Sequence, residues 1–478
     1  MSGGGHYRFG PFSLDPRAQQ LRRGAVPIPL PDRQFHLLHA LVSRAGELVT
    51  KQQLLEAAWP NVAVNDNSLV KAMGGLREWF EADGLRDAIL TEHGHGYRFA
   101  VPVATGVPRE PMEQLEARLT PHYAFVEGRA ALESLSRDSI SEARATFTAL
   151  LTQHADDPRV HVGLANACIL SYEATRAVAA PDLDALRTAA HHSLEACQLS
   201  PDDGEVWATR GFVLERHGDR ARAVAALERA VALEPQNWRH HLRLASATWG
   251  EARLRAAQRT LALLPGCPMA HLLAAMVFVA RNALAHAERA IDAGLIAMAG
   301  EAESGERFSS VALHWLKGLL LLARGDDQQA QQALLCELAL ESRGHLYARE
   351  CAASAWYALG VCRLRAGLPN EARQAFEQAI VRVPRHPMAH AGLAIVGGGA
   401  WPAAPSDAPE SVDAALARAA LHVSTGDVPA AVHGTQAALS AAAPGNAGWL
   451  VPVDPLLSIG RHLTDWAPVL AALRRRAS

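Results

Sequence analysis

The chain has 478 residues, 49% of them hydrophobic and 20% charged, with a formal net charge of −3. That length exceeds what one hydrophobic core serves, so two or more domains are expected. A near-neutral balance gives no whole-chain attraction to nucleic acid, so any such contact must be local. Cys168, Cys197, Cys267, Cys336, Cys351 and Cys362 form no CxxC pair, which speaks against zinc and against a disulfide framework and fits a reducing compartment. The opening MSGGGHYRFG lacks the apolar core of a secretory signal. No run reaches the roughly 18 apolar residues of a membrane span; the nearest, Val311 to Ala323, contains His314 and Lys317. A soluble cytoplasmic chain with no membrane partner is expected.

In chain order, Tyr7 to Leu14 and Gln20 to Leu30 alternate apolar and polar positions, with a turn at Arg22-Arg23-Gly24, and predict a small antiparallel sheet. A helix follows from about Asp32, its inner face set by Phe35, Leu38, Leu41 and Val42 and its end by Gly46. Thr50 and Gln53 form a capping-box pattern with Val49 and Leu54 as a staple, so a second helix is expected to run to Trp59-Pro60. A loop over Asn61 to Asn65 leads to the most informative stretch. Leu69, Met73, Leu76 and Phe80 fall on one stripe at a period of 3.6, and Asn65 and Asp66 are placed to cap that helix. The opposite face carries Asn67, Lys71, Gly74, Gly75 and Glu78, flanked by Ser68 and Arg77. Ile89 to Glu92 and Tyr97 to Val101 then read as a hairpin around His93-Gly94-His95-Gly96, with Tyr97, Phe99 and Val101 inward and Arg98 outward.

The order sheet, helix, helix, loop, helix, hairpin is that of a winged helix, and residues Tyr7 to Val103 resemble the DNA-binding domain of the OmpR/PhoB family. The resemblance is carried by Leu30 to Phe35, Gly46 to Thr50, Leu54 to Trp59, Leu76-Arg77 and Gly94 to Phe99. It implies that the third helix enters the major groove of double-stranded promoter DNA, that the hairpin reaches the adjacent minor groove, and that the loop after Trp59 contacts RNA polymerase. It assigns DNA contacts to Asn67, Ser68, Lys71 and Arg77 on the helix, and to His93, His95 and Arg98 in the wing. Thr50 and Lys51 join them at a helix N-terminus, where backbone N–H groups suit a phosphate. The chain departs from the family at Gly74, Gly75 and Glu78, where basic or polar residues are usual, at His93 in place of a common arginine, and at Pro31 in place of a capping threonine. Two interior glycines cost a helix about 2 kcal/mol relative to alanine; they permit close backbone approach or mark a surface losing its role. Over residues 1 to 103, 11 Lys plus Arg oppose 10 Asp plus Glu. Such a balance leaves little for phosphate neutralisation, so a homodimer on DNA or accessory contacts are expected to assist.

From Ala104 to Leu119 the sequence turns polar and proline-bearing, as a linker does. No receiver domain precedes the winged helix in this sequence, so control independent of a phosphorelay is expected. The remainder repeats: Trp207, Gly211, Ala223, Leu227, Ala230 and Pro235 share their offsets with Trp356, Gly360, Ala372, Phe376, Ala379 and Pro384, a tetratricopeptide (TPR) signature. Small residues sit where paired helices cross, large ones fill between them, and proline breaks the second helix. Weaker copies around Gly128, Pro158 to Leu199, Trp238 to Leu264 and Gly318 bring the array to six to eight units. The end, Asp454 through Trp466 to Leu473, resembles the closing helices of other TPR-bearing winged-helix regulators and is expected to cap the solenoid.

The fold expected is therefore mostly α: an α+β winged helix over residues 1–104, a linker over 105–119, TPR-like repeats over 120–397, a Gly/Pro linker over 398–410, and a helical repeat and cap over 411–478. His93 and His95 lack a third ligand for a metal and read as solvated or phosphate-facing. The pairs His191-His192 and His240-His241 cannot share a helical face and read as surface and groove residues. Trp207 and Trp356 read as repeat packing; Trp238, Trp249 and Tyr172 line either a concave groove or the core. Lys51, Lys71 and Lys317 are the three lysines and none follows glycine, so no Walker A loop exists; G-x-S-x-G and H-E-x-x-H are also missing. Neither enzyme chemistry nor a cofactor is expected. The function expected is a one-component transcription regulator whose solenoid senses a protein, peptide or small-molecule effector. The competing expectation is a TPR scaffold whose winged helix has lost DNA binding and mediates protein contacts.

Overall fold

A computed structural model describes residues 6–24, 26–60, 66–81, 83–105, 123–132, 135–177, 180–304, 310–397 and 411–478. The chain divides into two compact units, Met1–Arg118 and Leu119–Ser478. The expected loop at 61–65, most of the first linker and the Gly/Pro linker lie outside the described residues, as does the Asn65 cap.

In the first unit, β1 (Tyr7–Phe9), β2 (Phe12–Asp15), β3 (Gln20–Arg23) and β4 (Val26–Ile28) form an antiparallel meander. Gly10, at φ +52°, supplies the left-handed residue that splits the first expected strand in two. The sheet order is β4-β3-β2-β1-β8, because β8 (Ala104–Thr105) returns to pair with Arg8 and Tyr7. Those two residues, expected at the domain edge and in the linker, thus complete the sheet.

Helix α1 (Asp32–Val42) buries Phe35, Leu38, Leu41 and Val42. The chain then makes β5 (Leu48–Thr50) and turns into α2 (Lys51–Ala58). The capping box is present in both directions: Gln53 N–H donates to Thr50 Oγ1 at 3.3 Å, and Thr50 N–H to Gln53 Oε1 at 3.1 Å. Helix α3 (Asp66–Glu81) buries the expected stripe, Leu69, Met73, Leu76 and Phe80, to 1% exposure or less. The hairpin β6 (Ile89–Glu92) and β7 (Gly96–Phe99) follows, and β5 joins it as a third strand in the order β5-β7-β6. Phe9, Phe12, Phe80 and Phe99 meet largely edge to face, with Phe9 5.0 Å from Phe99 and Phe12 5.1 Å from Phe80. Each ring buried this fully contributes about 1.5–3 kcal/mol, which ties both sheets to α3.

The second unit is helical. After a helical stretch over 123–132 come α4 (Arg137–Leu151), α5 (Pro158–Thr175), α6 (Leu183–Leu199), α7 (Gly204–Arg216), α8 (Arg220–Leu233), α9 (Trp238–Ala247), α10 (Glu251–Leu263), α11 (Pro268–Ala280) and α12 (Leu284–Ser304). The array continues through α13 (Leu313–Arg324), α14 (Asp327–Ala339), α15 (Ala348–Arg365), α16 (Pro369–Arg382), α17 (Pro387–Gly397), α18 (Val412–Ser424), α19 (Val428–Ala441) and α20 (Leu463–Arg476). Antiparallel hairpins pair α5 with α6, α7 with α8, α9 with α10, α11 with α12, α13 with α14, α15 with α16, and α18 with α19. Aspartates cap several second helices: Asp182 accepts from Ala185 N–H, Asp219 from Arg222, Asp326 from Gln329 and Asp427 from Ala430.

The small-to-large spacing of the repeats has a direct cause. A Cβ at Gly211 would lie 2.5 Å from Leu227, one at Gly360 2.5 Å from Phe376, and one at Gly318 2.7 Å from Leu334. Trp207 packs within its hairpin while its Nε1 donates to the Pro201 carbonyl at 2.7 Å. The histidine pairs depart from expectation. His192, His240 and His241 are buried, because helices inside an array are packed on more than one flank and adjacent positions both face neighbours. His192 Nδ1 lies 3.0 Å from His161 Nδ1, His240 Nε2 lies 2.9 Å from Glu234 Oε2, and His241 Nε2 lies 3.0 Å from the Pro235 carbonyl. Of the four, His191 alone is exposed.

The closing segment does more than cap. Trp466, Val469, Leu470 and Leu473 pack into the core of the last hairpin, as a cap should. Residues before and after α20 also reach back to earlier repeats: Arg220 donates to the Pro444 carbonyl, and Arg281 to the Ala477 carbonyl. No local sequence pattern announces such a return.

Candidate nucleic-acid interface

The outer face of α3 presents Asn67, Lys71 and Glu78 to solvent, with Val70 57% exposed beside them. Lys71 pairs with no carboxylate among the described residues, so its ammonium is available to an anion. The two glycines differ. A Cβ at Gly74 would meet nothing within 4 Å, whereas one at Gly75 would lie 2.5 Å from Gln34 Nε2 on α1. Gly75 is therefore a packing glycine and Gly74 an open one on the outer face. Ser68 is half-buried.

Arg77 is committed to the domain. Its Nε and Nη2 donate to the Ile89 carbonyl at 3.0 and 2.7 Å, Nη2 also reaches Thr91 Oγ1 at 2.7 Å, and the guanidinium lies 5.8 Å from the Tyr97 ring centre. Arg98 is held likewise: Nε donates to Glu92 Oε1 at 3.2 Å and Nη1 to the Gly46 carbonyl at 3.0 Å. Both arginines are braces between α3, the wing and the loop before β5. Their remaining N–H groups are what they offer to a ligand.

His93 and His95 are exposed at the wing tip, where His95 Nδ1 lies 2.9 Å from the His93 carbonyl. Gly96 below them is required: a Cβ there would lie 2.1 Å from the Val49 carbonyl oxygen of β5. At the α2 N-terminus, Thr50 and Gln53 N–H serve the capping box, and Lys51 N–H donates to the His95 carbonyl at 3.3 Å. Most of the donors that would greet a phosphate there are thus spent internally. Thr50 is exposed and Lys51 half-buried.

The structure brings Asn67, Lys71 and Arg77 onto α3, and Arg77 links that helix to the wing bearing His93, His95 and Arg98. Sequence reasoning passed over a neighbouring cleft of about 430 Å³, lined by Pro29, Pro31, Gln34, Gly75, Glu78 and Trp79. Trp79 in its lining is 38% exposed, and Pro31, Gly75 and Glu78 beside it are positions where the sequence departs from the family. Among the described residues no cluster of metal-ligating side chains occurs, and no helix is long and apolar enough to cross a membrane.

Residues 25–99 match the family described as "Transcriptional regulatory protein, C terminal". Residues 204–247, 316–387 and 357–397 match tetratricopeptide-repeat families. The transcriptional regulator HilA of Salmonella typhimurium is 34% identical over 91 residues, 19% of this chain and 16% of that protein. The KDP operon transcriptional regulatory protein KdpE of Escherichia coli is 36% identical over 94 residues, 19% of this chain and 42% of that protein. The matched stretch thus spans less than half of either relative. Among solved structures, the DNA-binding domain of E. coli CadC is similar over 22% of this chain and 99% of that domain, at 23% identity and a TM-score of 0.20. The chain joins an OmpR/PhoB-type winged-helix domain to a series of tetratricopeptide repeats.

Proposed function

We propose that this chain is a cytoplasmic one-component transcription regulator: its winged helix binds double-stranded promoter DNA, and its repeats bind a protein, peptide or small-molecule effector. The observation that carries the DNA reading is Lys71, exposed and paired with no carboxylate among the described residues, on a core-anchored α3 whose Arg77 fixes the wing. In this reading Asn67, Ser68 and Lys71 meet the major groove, and Gly74 lets the helix backbone approach the bases. His93, His95 and Arg98 meet the adjacent minor groove, and Thr50 and Lys51 flank a phosphate. Arg77 serves by holding helix and wing in register while its spare N–H groups face the backbone of the duplex.

Glu78 sits about two turns from Lys71 along the same face, where it repels phosphate but accepts a hydrogen bond from a cytosine amino group. The near balance of charge in this region makes affinity depend on a second head or on further contacts. Homodimerisation on DNA supplies the first, and RNA polymerase at the promoter is a candidate for the second. Footprinting of the bound protein across its genome tests the proposal. Discrete protected sites upstream of genes support it; uniform background with the protein folded and abundant contradicts it.

A further inference from the structure

The first helix of each hairpin touches the first helix of the next over much of the array, α5 to α7 to α9 to α11 and α13 to α15, and one cluster holding Leu272 of α11 and Leu316 of α13 joins the two stretches into a row of first helices. The segment between α19 and α20 lies on that row. Val453 shares one cluster with Leu272 of α11, Leu320 of α13 and Leu359 of α15, and Trp449 and Leu450 pack against it. Trp449 meets Trp315 edge on, with ring centres 6.3 Å apart. Asp454 Oδ1 accepts from the Tyr357 hydroxyl at 2.9 Å, and Arg365 Nη2 donates to the Pro455 carbonyl at 3.1 Å.

The backbone of this segment bonds mainly to itself. Trp449 N–H donates to the Asn446 carbonyl, Val451 to Gly448 and Val453 to Leu450. It is held on the row by side chains and two polar contacts, the way a docked peptide is held. The fit is incomplete, because the indole N–H groups of Trp315, edge on to Trp449, and of Trp249, packed against a cluster that Trp449 also covers, find no acceptor among the described residues. A buried donor left unpaired favours an occupant that supplies an acceptor.

We propose that Trp449–Pro455 is a built-in ligand of the row of first helices, and that the repeats take a partner peptide of the same chemistry by exchange with it. That chemistry is an aromatic residue, a short apolar run containing proline, and a carboxylate. The proposal rests on the reading that the repeats bind a partner, and is independent of DNA binding.

Two measurements on the full chain test it. By hydrogen exchange, amides of residues 449–457 in the unaltered protein open at least about tenfold more often than those of α15 and α20. A fluorescent peptide with the sequence of residues 446–458 binds the Trp449→Ala, Val453→Ser double variant at least about tenfold more tightly than the unaltered chain, and a scrambled peptide does not. Exchange of the segment in step with α15 and α20 overturns the proposal. So does a double variant that keeps its helical circular dichroism and ignores the peptide, or one that unfolds, since the segment is then part of the core. A chain that binds the peptide but no duplex removes the DNA reading alone.

Discussion

Arg77 and Ile89 are joined by two hydrogen bonds from one guanidinium to one carbonyl oxygen, at 3.0 and 2.7 Å, and this contact ties α3 to the first strand of the wing. It braces two consecutive elements, α3 and β6, against each other.

Replacing Arg77 with alanine therefore strips the Ile89 carbonyl of its partner. Thermal or chemical unfolding of the full chain should show the winged-helix transition weakened by about 1–3 kcal/mol. Arg77→Lys should recover part of the loss, because an ammonium reaches one acceptor but lacks the planar fork.

Gly74 and Gly75 separate under the same substitution. Gly74→Ala places a methyl group in open space and should stabilise the domain by about 0.5–1 kcal/mol through the helix alone. Gly75→Ala meets Gln34 Nε2 and should gain less or nothing. If Gly74 faces the bases, Gly74→Ala also lowers affinity for DNA while raising stability, and Gly75→Ala does not.

Burial, with His161 and His191 as charged-form neighbours, lowers the pKa of His192 to about 4. The folded value lies below the unfolded 6.5, so this histidine's contribution is full above pH 6.5 and is lost as pH falls through about 4. Between those values each pH unit costs at most about 1.4 kcal/mol. Urea unfolding at a series of pH values should show the repeats weakening over that window, with a smaller slope in His192→Gln.

Asp454 behaves in the opposite sense. Burial pushes its carboxyl up to about 6, with Tyr357 and Arg365 as the polar groups facing it. Its contribution is full below the ordinary 3.8 and is lost as pH rises through about 6. Protection factors for residues 449–457, corrected for intrinsic exchange, should be lower at pH 7.5 than at pH 5 by this reasoning, and the difference should shrink in Asp454→Asn.

Local physics made much of the fold legible. The stripe Leu69, Met73, Leu76, Phe80 and the Thr50–Gln53 box are short-range patterns, and the structure realises both. The spacing from Gly211 to Leu227 and from Gly360 to Phe376 is likewise written within one hairpin. What escaped depends on pairing across long sequence gaps: β5 with β7, Ala104–Thr105 with Tyr7–Arg8, and the Tyr357 contact with Asp454. Burial of His192, His240 and His241 escaped for the same reason, since a second packed flank is supplied by neighbouring helices. Within the candidate site, the exposure of Lys71 followed from the helical period. The internal commitment of Arg77 and Arg98 did not, because the Ile89 and Gly46 carbonyls they reach carry no sequence signature and their side-chain acceptors, Thr91 and Glu92, come within reach only once the wing has folded.

The most direct measurement is the salt dependence of affinity for a labelled mixed-sequence duplex, read by fluorescence anisotropy for the full chain and for Lys71→Ala. The account predicts that log affinity falls linearly with log salt between about 50 and 200 mM, and that Lys71→Ala both weakens binding and reduces the slope by about one. Affinity that is absent at the low end, or a slope unchanged by removing Lys71, would contradict it.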